Sequence, residues 1–389
     1  MNKVENIPWV KDILKSYPEL KCEVADPNIE LKGKDELQVE LNKILLGSEI
    51  DTIEKQIKQV DDFRTCHLLR IAISEIEHSL PLMKVSDHLT YLAEAIINVV
   101  IERVWTEMIS KYGTPACVIG DNICDMGFIV VGYGKFGGIE MGYASDLDLV
   151  FLHAGNWEDT QGGERSIDST QFYIKMGQQA LKILGGQTIT GALYETDMRL
   201  RPDGTKGLLV QNIESYRDYL IERAQTWEHQ ALVRARAIIG DPVVIKRFEE
   251  IREEVLRIDR NKEKLKDEVK SMRERMIKEL DKSDKNLFDL KQGKGGIVDI
   301  EFVVQYLTLL YAGKFSSFEL WTDVVRLLET MVMANIIDED SSHKLQNAYL
   351  TYRSHVHKLS LQKKPNLVKD QNFSKLKHNV LNLCEQLLK

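Results

Sequence analysis

Apolar positions recur at helical spacing among many charges through residues 12–112. Segments 37–46 and 50–60 read as helices with Gly33 and Gly47 as stops. A longer helix follows Pro81, with Ser86 as its N-cap, and puts Leu89, Leu92, Ile96, Ile97, Val100 and Val104 on one face. The pattern then changes. Residues 113–125 are a turn-rich connector, and residues 128–131 are β-branched or aromatic between Gly127 and Gly132, a short buried strand. A second apolar run begins near Asp146, where Leu147, Leu149 and Phe151 share one face and Asp146 and Asp148 the other. GNWEDTQGG, 155–163, reads as an exposed loop, and 167–184 as a helix with Phe172, Met176 and Ala180 inward, ended by Gly185 and Gly186. Residues 193–201 alternate as a third strand, with Glu195, Asp197, Arg199 and Arg201 on its polar face and a turn at Pro202, Asp203 and Gly204. Beyond Gly207 the pattern predicts helix throughout.

Three stretches of that helical part carry distinctive residues. In 227–236 the pair Arg234 and Arg236 reads either as a phosphate contact or as an ion-paired helix surface. The segment up to 281 is so densely charged that it is solvent-facing, with Leu265, Val269, Met272 and Met276 as its apolar stripe. LKQGKGGIVDIEF, from Leu290, is a glycine turn opening an apolar helix, with Asp299 near its start and Glu301 and Gln305 on one face. Helices over 320–334 and 343–361 complete a bundle in which His355 and His357 are too sparse for a metal site.

Between the two apolar runs, Gly132, Gly134, Gly137, Gly138, Gly142 and Ala144 keep the turn small enough for backbone N–H groups to approach an anion. Gly132 to Gly137 also spell G-x-G-x-x-G. The dinucleotide fingerprint, however, opens a crossover helix of about ten residues or more, and the next strand here begins too soon for one. A P-loop is excluded because Phe136, not Ser or Thr, follows Lys135. Asp146 and Asp148 point the same way, about 7 Å apart at ~3.3 Å per residue. Glycines beside a polyphosphate and paired carboxylates beside a hard divalent cation form one chemical unit.

Composition narrows the field. The chain has 389 residues, 43% of them hydrophobic, enough for a large core and two or three domains. A formal charge of -8 argues against a nucleic-acid partner and favours a protein or small-molecule acceptor. Cys22, Cys66, Cys117, Cys124 and Cys384 lack C-x-x-C pairing, which fits a reducing compartment better than a disulfide framework. Neither an export signal nor a membrane span is indicated, so a soluble cytoplasmic protein is expected.

GYGKFGG, Glu140 and SDLDLVF together resemble the nucleotidyltransferase signature of the glutamine synthetase adenylyltransferase family. The resemblance extends to LPLMKVSDHLTYLAEA, YETDMRLRP, WEHQALVRAR and GGIVDIEFVVQYL, and so covers most of the chain. It implies an α+β fold: a polymerase β-like nucleotidyltransferase core with a small mixed sheet over 119–207, flanked by predominantly helical regions at 1–118 and 208–389. It implies transfer of AMP from ATP to a tyrosine of glutamine synthetase, in the regulation of nitrogen assimilation, with the PII signal protein as a partner. Asp146 and Asp148 would bridge two Mg2+ ions, and Asp197, in the family's acidic motif, would be the third carboxylate and catalytic residue. Gly134, Lys135, Gly137 and Gly138 would hold the triphosphate, assisted by Ser145 and Arg199. The GGIVDIEF motif is expected to pack against the nucleotide site. Family members carry two catalytic halves, one adding AMP and one removing it by phosphorolysis; the single copy here resembles the C-terminal, adding half, as expected of a fragment or a reduced member. The deadenylylating half, and a silent nucleotide- and PII-binding module, are the alternatives.

Overall fold

Strand formation at the centre of the chain follows from β-branching and alternation, and it organises the first of two compact units. A computed structural model describes residues 4–26, 29–46, 52–189 and 191–389. Contacts divide the chain into one unit of residues 1–223 with 235–251 and another of 224–234 with 252–389. The fold is α+β, a small mixed sheet among helices.

Five strands make the sheet: β1 (Phe128–Gly132), β2 (Leu147–His153), β3 (Thr196–Asp197), β4 (Val210–Asn212) and β5 (Arg236–Gly240). β1 lies between β2 and β5, antiparallel to both. β3 and β4 pair in parallel with β2, β3 alongside its start and β4 alongside its end. Every residue of β1 is buried, whereas Asp148 on β2 is only partly covered between buried Leu147 and Leu149. Helices Leu82–Tyr112 and Ser169–Leu184 pack on each other in this unit, and Phe172, Met176 and Ala180 are buried as their spacing predicts. Gly185 donates its N–H to Leu181 and ends the second helix.

Several expectations are corrected. The helix after Pro81 begins at Leu82 with Pro81 itself at the N-cap; Ser86 lies inside it, fully buried, its hydroxyl donating to the Met141 carbonyl at 2.9 Å. Gly33 precedes the Lys34–Leu46 helix rather than ending one, its N–H donating to Glu36. Gly47 and the opening of the 50–60 segment lie outside the described residues, and the next helix is Ile53–Glu77, capped by Thr52. The strand expected over 193–201 is only two residues long, because the backbone turns onto the Asp197 carboxylate at Arg199. Beyond Gly207 the chain is not wholly helical: β4 and β5 complete the sheet, and Leu287–Asp289 pairs with Leu367–Lys369. The connector over 113–125 holds a hairpin of Val118–Ile119 with Asn122–Ile123, and its flanks bring Cys117 and Cys124 together in a disulfide with Cα atoms 5.3 Å apart. A seven-residue spacing across a hairpin escapes a search for C-x-x-C.

In the second unit, helices Lys262–Leu280, Ile297–Tyr311 and Thr226–Val233 pack together, and Leu265 and Val269 are buried from the predicted stripe. Helices Val324–Met333 and Glu339–Leu361 pack against each other and against Ile297–Tyr311. Among the described residues no helix is long and apolar enough to cross a membrane.

Candidate functional site

Parallel pairing of β2 with β3 sets Asp148 directly beside Asp197, and Leu147 beside Thr196. Asp146 lies two residues before Asp148, just ahead of β2, and is exposed. The three sequence-predicted carboxylates therefore meet at one end of the sheet, where β2 begins. An open groove of about 560 Å3 runs along this end, lined by Asp146, Asp197, Arg199 and Arg201 together with Met198 and Leu209.

The glycine-rich turn closes over the same end. It is one helical turn, Gly134–Gly137, entered from β1. Gly134 has φ +56°, and a Cβ there would stand 2.6 Å from the Asp148 Oδ2, so both backbone conformation and contact with the carboxylate require glycine. The Tyr133 N–H donates to the Asp148 carbonyl at 2.9 Å. Gly137 and Gly138 donate theirs to the carbonyls of Tyr133 and Gly134, and both residues are buried. Those two glycines thus spend their N–H groups within the turn, and its half-buried opening, Gly134 and Lys135, is the part that helical geometry leaves outside its own ladder. Ser145 exchanges two hydrogen bonds with Gly142, its hydroxyl oxygen accepting at 2.9 Å and its N–H donating at 3.0 Å, which closes the loop just before Asp146.

Asp197 is held by Arg199. The guanidinium donates from Nε to both carboxylate oxygens, at 3.0 and 2.8 Å, and from Nη2 to Oδ2, while the Arg199 N–H donates to Oδ1 at 2.8 Å. These bonds hold the Asp197 carboxyl below its ordinary range. The Arg199 guanidinium is raised, first by Asp197 and then by the fields of Asp148 and Asp146, so one cation sits in the field of all three acids. The Arg199 side chain is 77% exposed. Among the described residues no three His, Cys, Asp or Glu side chains form a ready-made metal cluster, and Asp197 is turned onto this arginine. The donor set nonetheless fits a hard divalent cation: it is all oxygen, and Arg199 stands in for positive charge on a flexible, exposed stem.

Sequence reasoning placed Arg236 on a helix facing phosphate or solvent. It is instead the first residue of β5, paired with Gly132 at the mouth of the turn. Its Nε donates to the Gly137 carbonyl at 3.2 Å, and its Nη2 reaches the Phe136 carbonyl at 3.5 Å and the Glu94 carboxylate. Glu94 is 3% exposed and also pairs with Lys34 at 2.7 Å. The β-branched pair Ile238–Ile239, just before Gly240, Asp241 and Pro242, was the available signal for this strand. The loop between turn and carboxylates is held by the helices before it: Ser86 on the Met141 carbonyl, Glu75 accepting from the Tyr143 hydroxyl at 2.7 Å, and Trp9 with its ring 5.6 Å from that of Tyr143.

In the second unit Asp299 does sit in the first turn of its helix, accepting from the Gly295 N–H and from buried Arg273. Glu301 and Gln305 share a face as predicted. Glu301 takes Arg234, and the Gln305 amide oxygen accepts from Gln230 at 3.2 Å. Arg234 is therefore an internal ion-pair partner.

A two-stranded carboxylate edge joined to a glycine turn on a small mixed sheet defines a nucleotidyltransferase. Residues 3–251, more than half of the chain, match the family model of glutamate-ammonia ligase adenylyltransferase, and the chain belongs to that family. Residues 263–377 match the model of GlnD PII-uridylyltransferase. Glutamate-ammonia ligase is the enzyme also called glutamine synthetase, so the chain is a nucleotidyltransferase of the glutamine synthetase adenylyltransferase type.

Proposed function

We propose that this chain transfers the adenylyl group of ATP to a tyrosine hydroxyl of glutamine synthetase and that the modification regulates nitrogen assimilation in the cytoplasm. The observation that carries the reading is the register of Asp148 beside Asp197, with Gly134 closed over Asp148. Asp146 and Asp148 would hold Mg2+, two ions in all, with Asp197 joining them once Arg199 moves off. Bound there, the cations supply charge neutralisation of the triphosphate and a lowered pKa for the attacking hydroxyl.

The rest falls to the chain's own side chains. Gly134 and Lys135 face the triphosphate at the opening of the turn. The groove along Asp197 and Met198 receives the tyrosine, whose oxygen bonds to the α-phosphorus as the bond to the β-phosphate oxygen breaks and pyrophosphate leaves. Asp197 takes the hydroxyl proton. Similarity of residues 263–377 to a PII-uridylyltransferase supports the PII signal protein as a regulatory partner.

Incubation with labelled ATP, Mg2+ and glutamine synthetase, followed by peptide mapping, should put the label on one tyrosine. Label on another residue type overturns the acceptor assignment. Release of ADP from adenylylated glutamine synthetase with phosphate and PII, at a rate comparable to labelling, would show the removing activity instead of the adding one.

A further inference from the structure

The geometry points to Arg236 as the residue that sets the glycine-rich turn in register with the carboxylates, with Glu94 as the group that orients Arg236. This inference rests on the reading that the turn faces the triphosphate.

The carbonyls of Phe136 and Gly137 lie at the end of a single helical turn, where the Phe136 carbonyl accepts the Ile139 N–H at 3.3 Å and each carbonyl has a lone pair to spare for further donors. Arg236 supplies them, Nε–H to Gly137 at 3.2 Å and Nη2–H to Phe136 at 3.5 Å. A planar guanidinium presents several donors in fixed directions and so ties two neighbouring peptides at once, which a single ammonium cannot reproduce. The root of the side chain is held by the sheet, since Arg236 pairs with Gly132, two residues before the turn begins. Its tip is held by Glu94, whose carboxylate is 4% exposed and is pulled from its other oxygen by Lys34. With root and tip both held, the turn moves only if these bonds break. Its opening lies against Asp148, so any shift there changes the spacing between the backbone that meets the nucleotide and the carboxylate that meets the cation. Arg236 touches the turn and none of the reacting atoms; it is a positioning residue, and Glu94 and Lys34 act through it.

The test uses the full chain with Arg236→Lys, Glu94→Gln and Lys135→Met. Each is assayed for thermal stability, for ATP and Mg2+ dependence, and for glutamine synthetase dependence. Arg236→Lys keeps the positive charge opposite Glu94 and loses the fork. It is expected to melt within a few degrees of the parent while kcat/KM for ATP falls about 30-fold, as misplacement of a binding element by a fraction of an ångström to an ångström does. KM for glutamine synthetase is expected to stay unchanged. Glu94→Gln should shift the ATP dependence in the same direction, about fivefold. An unchanged ATP dependence in both variants, with Lys135→Met impaired, overturns the positioning role and leaves the triphosphate reading standing. Normal ATP dependence in Lys135→Met overturns the triphosphate reading, and with it the route proposed for Arg236. Equal losses toward ATP and glutamine synthetase would mean a general structural role and also overturn the inference. Should Arg236→Lys fail to fold, Glu94→Gln decides alone, and a parental ATP dependence there counts against the proposal.

Discussion

Two acidic motifs in this chain carry the same kinds of residue in opposite settings. Asp146, Asp148 and Asp197 lie at an open edge, and the arginine on Asp197 is 77% exposed. Asp299 and Glu301 are met by Arg273 and Arg234, whose side chains are only 9% and 5% exposed. An exposed arginine leaves a carboxylate at little cost because water takes over both charges, whereas a buried one stays, since separation strands a charge in a poor solvent. The first set therefore suits the exchange of a cation, as the proposed function requires, and the second joins helices. Acid content alone does not tell the two apart; the exposure of the partner does.

Replacing Asp146 or Asp148 by Asn tests the working half of that contrast most directly. Transfer to glutamine synthetase should fall by more than ~100-fold in either variant with the melting temperature nearly unchanged, because a charged oxygen ligand becomes a near-isosteric neutral one. Near-normal turnover at the usual Mg2+ concentration would remove these two residues from the site. Glu301→Leu probes the other half. It leaves Arg234 buried without its carboxylate, and denaturant unfolding should show a loss of about 3 kcal/mol. A variant of parental stability would mean that this pair is not a structural lock.

Acid should weaken the packing of the first unit before it protonates the carboxylate that Arg199 holds. Burial pushes His67 and His153 down to about 4, from an ordinary value of 6.5. In that interval the unfolded chain binds protons that the folded chain refuses. Stability is thus full above pH 6.5 and is lost as pH falls toward 4, by about 2 kcal/mol per histidine at pH 5. Asp197, held low by Arg199, stays ionised across this window. Melting temperatures at pH 7 and pH 5 check the slope, and His153→Asn should flatten it. The smallest effect is expected from Arg199→Ala. Without the guanidinium on Asp197, half-maximal rate should need about threefold less Mg2+, with little change in melting temperature. A higher Mg2+ requirement would show that Arg199 helps the cation rather than standing in for it.

Local order was legible where one segment carries its own signal. Alternation put Asp148 on the polar side of β2 between buried Leu147 and Leu149, small residues marked the turn, and helical spacing marked the core side of Ser169–Leu184. The reading failed where a short segment takes its shape from distant chain. Residues 236–240 follow a helix with only two residues between, and they become a strand because β1 offers them an open edge. Nor does the glycine content of the turn show that the N–H groups of Gly137 and Gly138 close the turn on itself.

The sequence by itself determined the strand, turn and strand that frame the candidate site, because side-chain alternation and glycine's conformational range are properties of the local chain. Tertiary structure alone decided that Asp197 stands beside Asp148 and that Lys34, Glu94 and Arg236 converge on the back of the turn. Those partners are separated by tens to hundreds of residues. Strand register and buried charge pairing, which no local period encodes, bring them together.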